Sequence, residues 1–275
     1  MNFDIKNKFL ILNILFLCLI SFIFMSELPV MSSGFLLRVI SYVVVFIVIQ
    51  FKITGWRYTS LVTLMFIYSL NYFFISPIMY YSSINNYNIY IMSLVINNFI
   101  LIIILYFILK KSNENIDEAI KISNIKNFNF KKALKIGFLF WIIMTFINAI
   151  IYFSGIRNLF SILSTYLINL RPVVQKFSLE GSISSWTIFI DIIVKLLLLP
   201  IFEEVFFRGF LFNFLEDKLG FTKSALLSSI FFATLHPVKF IPHIFFSGLG
   251  LTYIYKREKN LLYPIMAHSI YNFIG

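Results

Sequence analysis

Glu203, Glu204 and Arg208 lie in LLLLPIFEEVFFRGFLFNFL, one of the most apolar stretches of the chain. An ionised side chain near the centre of a membrane helix costs roughly 2.5 kcal/mol or more, even on lenient insertion scales. Three ionisable groups within six residues therefore need a purpose. The three histidines of the chain, His236, His243 and His268, follow in equally apolar segments. Adjacent carboxylates followed by late histidines have the makings of a buried acid–base site. Hydrolysis at membrane depth is the chemistry that suits them.

Spacing sorts these residues into pairs. On an α-helix Glu204 and Arg208 are i,i+4, about 40° apart on one face, so they can pair. Glu203 points about 100° away from Glu204 and faces something else. One glutamate is then charge-compensated and the other is available as a general base. The alternative is that both belong to structural ion pairs. Asp191 and Lys195 form another i,i+4 pair, read as a salt bridge that stabilises a buried helix. Phe232 and His236 stack an aromatic ring beneath an imidazole just before Pro237. His268 and Asn272 stack in the same way, and both can donate to one point, which suits a developing oxyanion. His243, after Pro242, has no i,i+4 partner of this kind.

The elements that must position these groups follow from composition. Of 275 residues, 60% are hydrophobic and only 13% charged, with a mean hydropathy of +0.89. Soluble domains are about 45–50% apolar and 25% charged. The expected fold is all-α, a polytopic transmembrane helix bundle of eight or nine spans. Apolar runs long enough to span occur near 9–25, 36–53, 59–79, 88–109 and 134–153. Further candidates lie near 186–214, 223–236, 241–255 and 260–274. The first run, FLILNILFLCLISFIFM, reads as an uncleaved helix rather than a signal peptide. Residues 1–133 form a unit of N-terminal helices with a basic loop, and 134–275 form the catalytic core, with its motifs in 203–272. Within 154–185, IRNLFSILSTYLINLRP has the apolar spacing of a helix lying along a membrane surface.

Charge sets the orientation. With the N-terminus cytoplasmic, sixteen of the 23 Lys and Arg residues fall on the inner side and five on the outer. That matches the positive-inside rule and accounts for the net charge of +11 without a nucleic-acid partner. The single cysteine, Cys18, excludes a disulfide framework and a zinc–cysteine site. The expected location is the cell membrane, multi-pass, with the lipid bilayer as solvent.

Glu203-Glu204-x-x-x-Arg208, Phe232-x-x-x-His236 and His268-x-x-x-Asn272, in this order on successive apolar segments, resemble three motifs of a known family. This is the CAAX protease and bacteriocin-processing (Abi-type) family of intramembrane glutamic endopeptidases, related to the type II CAAX prenyl endopeptidase. The resemblance covers about 90 residues, from the Glu203 helix to the C-terminus. It implies that Glu203 activates a water that His236 helps to position. Glu204 would be held by Arg208, His268 and Asn272 would stabilise the oxyanion, and Phe232 would wall the site. Substrates would be peptides or membrane proteins, such as bacteriocin leaders. Because Glu and His also suit zinc, a zinc enzyme is the alternative mechanism. The chain has no H-E-x-x-H, so the expectation is no cofactor and no metal. A different class of function, a non-catalytic immunity or scaffold protein on the same fold, would use these residues only structurally.

Overall fold

The computed structural model describes residues 128–169, 185–236 and 238–274, together with the helical positions Ile96, Phe99, Ile103 and Tyr106. The first three expected spans, nearly all of the fourth and most of the basic 110–135 loop lie outside the described residues. Among the described residues every regular element is helical.

Helix α1, Phe130–Phe153, begins where the Asn129 side chain accepts from the Lys132 backbone N–H at 3.0 Å, an N-cap that fixes the first turn. Its buried residues Ala133, Gly137, Phe140 and Met144 recur at the helical period, while Phe138, Leu139, Ile142, Ile143 and Phe146 face outward. Among the described residues it is the one unbroken helix long and apolar enough to cross a bilayer, with a mean hydropathy of 2.2. Such an outward apolar face would be a large sticky patch in water; against lipid tails it is at rest. Helix α2, Ile156–Asn169, exposes Leu159, Ile162 and Leu163 and packs on α1 and on a 3₁₀ turn at Val238–Phe240. The helix that its apolar spacing predicts is present over this range.

Residues 185–219 form one winding rod. Helix α3 (Ser185–Ile193) passes into a π segment (Val194–Leu198), then α4 (Leu199–Glu204), a second π segment (Val205–Phe212) and α5 (Asn213–Leu219). Pro200 gives a cause for the first π segment. Its ring removes an N–H donor and crowds the carbonyl four residues back, and a wider i→i+5 turn relieves both problems. The glutamates thus stand at the end of α4, against the second wide turn. That π segment is buried all round, from Phe206 to Phe212.

Gly220 then turns the chain. At φ 75° it donates to the Glu216 carbonyl, closing α5, and its own carbonyl accepts from Ser224 to open α6, Phe221–Thr234. Helix α6 ends at Thr234, three residues before Pro237, a residue type that disfavours helical backbone just ahead of it. Helix α7, Ile241–Glu258, carries Pro242 in its first turn and Lys256 and Arg257 in its last, where the helix dipole favours cations. Helix α8, Leu262–Ile274, starts with the Leu262 N–H donating to the Asn260 side chain at 2.9 Å.

Two close helix pairs frame the rod. Helix α8 lies along α1, sharing a core of Ala133, Phe140, Met144, Leu251, Tyr263 and Ala267 with α7. Helices α6 and α7 approach through small residues: a Cβ added at Gly248 would meet Ser229 Cβ at 3.0 Å and its Cα at 3.2 Å. Small residues at such a contact let backbones approach where no hydrophobic driving force separates protein from lipid. Gly248→Val should therefore destabilise by about 1–3 kcal/mol through overpacking, read as a lower unfolding midpoint in detergent. An unchanged midpoint would mean that the α6–α7 contact is looser than described.

Candidate functional site

Glu204 and Arg208 are both fully buried, at 0% and 1% exposure. Arg208 Nη1 donates to Glu204 Oε1 at 2.8 Å, and Nη2 donates to the Gly248 carbonyl at 3.1 Å. The second bond crosses from the rod to α7, at the glycine that packs against Ser229 of α6. The guanidinium also lies 4.8 Å from the centroid of the Phe232 ring and 5.8 Å from that of Phe207. A charge without access to water is thus met by a carboxylate, a carbonyl and two aromatic faces.

His268, on α8, closes the pair from the other side. A carboxylate only accepts, so the 2.9 Å contact between His268 Nδ1 and Glu204 Oε1 assigns a proton to Nδ1. The opposite ring nitrogen, Nε2, then faces Glu203, 3.7 Å from Oε2, a distance of charge attraction rather than hydrogen bonding. One imidazole therefore bridges two glutamates that the α-helix points in different directions. Glu204 Oε2 makes no hydrogen bond among the described residues.

Phe232 stands at the centre of the other wall. Its ring meets His236 edge-on at 4.9 Å, His268 at 6.1 Å and Phe207 at 4.9 Å. The i,i+4 stack of Phe232 and His236 is present as their spacing predicts. His236 Nδ1 donates to the Phe232 carbonyl at 2.9 Å, so the neutral ring carries its lone pair at Nε2.

Glu203, Glu204, Arg208, Phe232, His236 and His268 are thus gathered at one place from the rod, α6 and α8. Asn272 is placed differently. It is exposed, and its amide donates at 3.2 Å to the Lys195 carbonyl in the first π segment, one turn along α8 from His268. In this arrangement His268 and Asn272 address different acceptors instead of one point. His243 has a partner that its own helix did not offer: the Tyr271 hydroxyl of α8, at 2.5 Å. The Asp191 side chain lies outside the described residues. Sequence reasoning also passed over Gly248, whose carbonyl anchors Arg208; the small residues opposite it on α6, Ser228 and Ser229, were the available signal. Nothing in the sequence marks Tyr271 as the partner of His243. Among the described residues no three His, Cys, Asp or Glu side chains converge as a metal-ligand set.

Removing Arg208 would leave Glu204 buried beside one imidazole. Stranding one partner of a buried pair costs roughly 3–5 kcal/mol. Arg208→Ala should thus lower the melting temperature in detergent sharply or prevent folding, whereas a midpoint like that of the parent would show the pair to be dispensable.

Comparison with known proteins agrees with the motif pattern. The family described as "Type II CAAX prenyl endopeptidase Rce1-like" matches residues 185–274, the stretch from α3 to α8 that holds all these side chains. The "Putative membrane peptidase YdiL" of Bacillus subtilis (strain 168) is 34% identical over 84 residues, covering 30% of this chain and 34% of that protein. The chain therefore spans about a third of that relative's length. The "UPF0177 protein YxdF" of Lactococcus lactis subsp. lactis (strain IL1403) is 24% identical over 166 residues, covering 56% of this chain and 80% of the relative. No solved structure matches the chain. Residues 185–274, which carry the glutamates, both motif histidines and Asn272, are thus the part of the chain that is similar to the Rce1-like family of type II CAAX prenyl endopeptidases.

Proposed function

We propose that this protein is an intramembrane endopeptidase that cleaves peptide or membrane-protein substrates with a glutamate-activated water. The observation that carries the proposal is the unequal setting of two adjacent buried glutamates. Glu204 is neutralised by Arg208 and His268, while Glu203 lies 3.7 Å from His268 Nε2, on the side walled by Phe232 and His236. Two carboxylates with different electrostatic duties are what acid–base hydrolysis needs.

In this reading a water sits between the Glu203 carboxylate and His236 Nε2. Glu203 takes a proton as the water oxygen bonds to the substrate carbonyl carbon, giving a tetrahedral oxyanion. His268 and Asn272 stabilise that oxyanion. For this, Asn272 must turn its amide from the Lys195 carbonyl towards the substrate. Glu203 then returns its proton to the leaving nitrogen as the C–N bond breaks, leaving a carboxyl and an amine. Glu204 and Arg208 hold His268 in place, and Phe232 shapes the cavity. The route proposed needs no metal or other cofactor. If zinc were used instead, Glu203, His236 and His268 are the groups that would have to converge on it.

The wider setting belongs to the same proposal. The protein sits in the cell membrane as a bundle of eight or nine spans with the N-terminus cytoplasmic. Residues 1–133 form an N-terminal unit ahead of the catalytic core, and bacteriocin leader peptides are among the substrates.

Glu203→Gln keeps the shape of the side chain and removes the base. It should abolish cleavage of a reporter peptide with the melting temperature essentially unchanged. Asn272→Ala should slow turnover by about 10²–10³-fold, the usual loss for one oxyanion donor. Near-normal cleavage by Glu203→Gln would overturn the proposal, and if immunity to a bacteriocin survived that change the binding-only role would replace it.

A further inference from the structure

A cavity of about 450 Å³ opens beside the site and is lined by Asn148, Arg157, Lys195, His243, Tyr271 and Asn272, with Leu199 and Phe240. Its described lining holds a guanidinium, an ammonium, two amides, an imidazole and a phenol, and Lys195 has Asp191 as its i,i+4 neighbour. Arg157 is half-buried at the first turn of α2 and has no carboxylate within ion-pair distance among the described residues. A partly desolvated guanidinium in a donor-rich cavity calls for an oxyanion.

The position of the cavity narrows the class of oxyanion. Asn148 lies five residues before the end of the spanning helix α1, about 8 Å along its axis. Arg157 follows that end and opens the amphipathic helix α2, whose Leu159, Ile162 and Leu163 are exposed. A spanning helix gives way to a surface helix at the level where lipid phosphates lie, and the apolar residues beside the cavity can take acyl chains. We propose that this cavity binds the phosphate headgroup of an anionic phospholipid. Arg157 supplies the charge, and Tyr271 and the two amides supply hydrogen bonds. Lys195 and Asn272 are already joined through the 3.2 Å amide–carbonyl bond. A lipid bound here therefore touches the Asn272 side chain that the peptidase reading uses.

The test is a binding measurement and needs no substrate, so it is independent of whether the protein is a peptidase. The full-length protein is placed in nanodiscs of phosphatidylcholine with or without phosphatidylglycerol. Retained lipid is read by native mass spectrometry and stability by melting temperature. Phosphatidylglycerol should be retained selectively and should raise the melting temperature. Arg157→Gln should weaken retention by about tenfold or more, the range for one hydrogen bond to a charged group. Tyr271→Phe should weaken it less, and supplies the test if Arg157→Gln does not fold. Arg257→Gln, at the other end of α7 and 69% exposed, should leave retention unchanged. The proposal fails if phosphatidylglycerol is held no better than phosphatidylcholine, or if Arg257→Gln weakens it as much as Arg157→Gln. It fails equally if inorganic phosphate alone gives the same stabilisation, or if a peptide with a free C-terminal carboxylate binds in place of the lipid.

Discussion

The rest of the site depends on one ion pair held away from water. Transferring a guanidinium and a carboxylate into an apolar interior costs several kcal/mol for each ion, and mutual attraction repays this only with good geometry and further hydrogen bonds. Arg208 meets that condition through Glu204, the Gly248 carbonyl and the Phe232 ring, and Glu204 through Arg208 and His268. These contacts tie the rod to α6, α7 and α8 at one level. In surroundings that are apolar on every side, hydrophobic burial hardly distinguishes one helix rotation from another. The pair does, because any other rotation would leave a charge stranded.

The geometry of the proposed site follows from that anchoring. With α4 fixed about its axis by Glu204, the adjacent Glu203 is carried about 100° round, into reach of His268 Nε2. The second π segment begins directly after Glu204, and π turns interrupt helices frequently at functional sites. On the far side, His236 lies just past the end of α6, with Nδ1 committed to the Phe232 carbonyl. The imidazole is thus aimed by its own backbone, and the carboxylate by an ion pair one residue away.

Much of this was legible in the sequence because spacing on one helix is a local property. The Glu204–Arg208 and Phe232–His236 pairs, the start of the rod near 186 and the helix within 154–185 all follow from period and residue type. The contacts that escaped it lie between helices. His268 turns to Glu204 and Asn272 to the Lys195 carbonyl because α8 packs against the first π segment and α4, a register set by tertiary contacts. Tyr271 and His243 meet for the same reason, 28 residues apart. The π turns have one visible cause, Pro200, and the second has no residue signature at all.

The most direct test of this account is a double-mutant cycle on the anchoring pair, comparing the unfolding free energies of Glu204→Gln, Arg208→Met and the combined variant in detergent. If the pair is the constraint that organises the site, each single change strands a partner. The combined variant, which removes both charges, should then be more stable than Arg208→Met alone, with a coupling above the ~0.3–0.5 kcal/mol within which independent sites add. Losses that simply add would contradict it: Glu204 and Arg208 would then be neighbours that do not depend on each other, and the placement of Glu203 would need another cause.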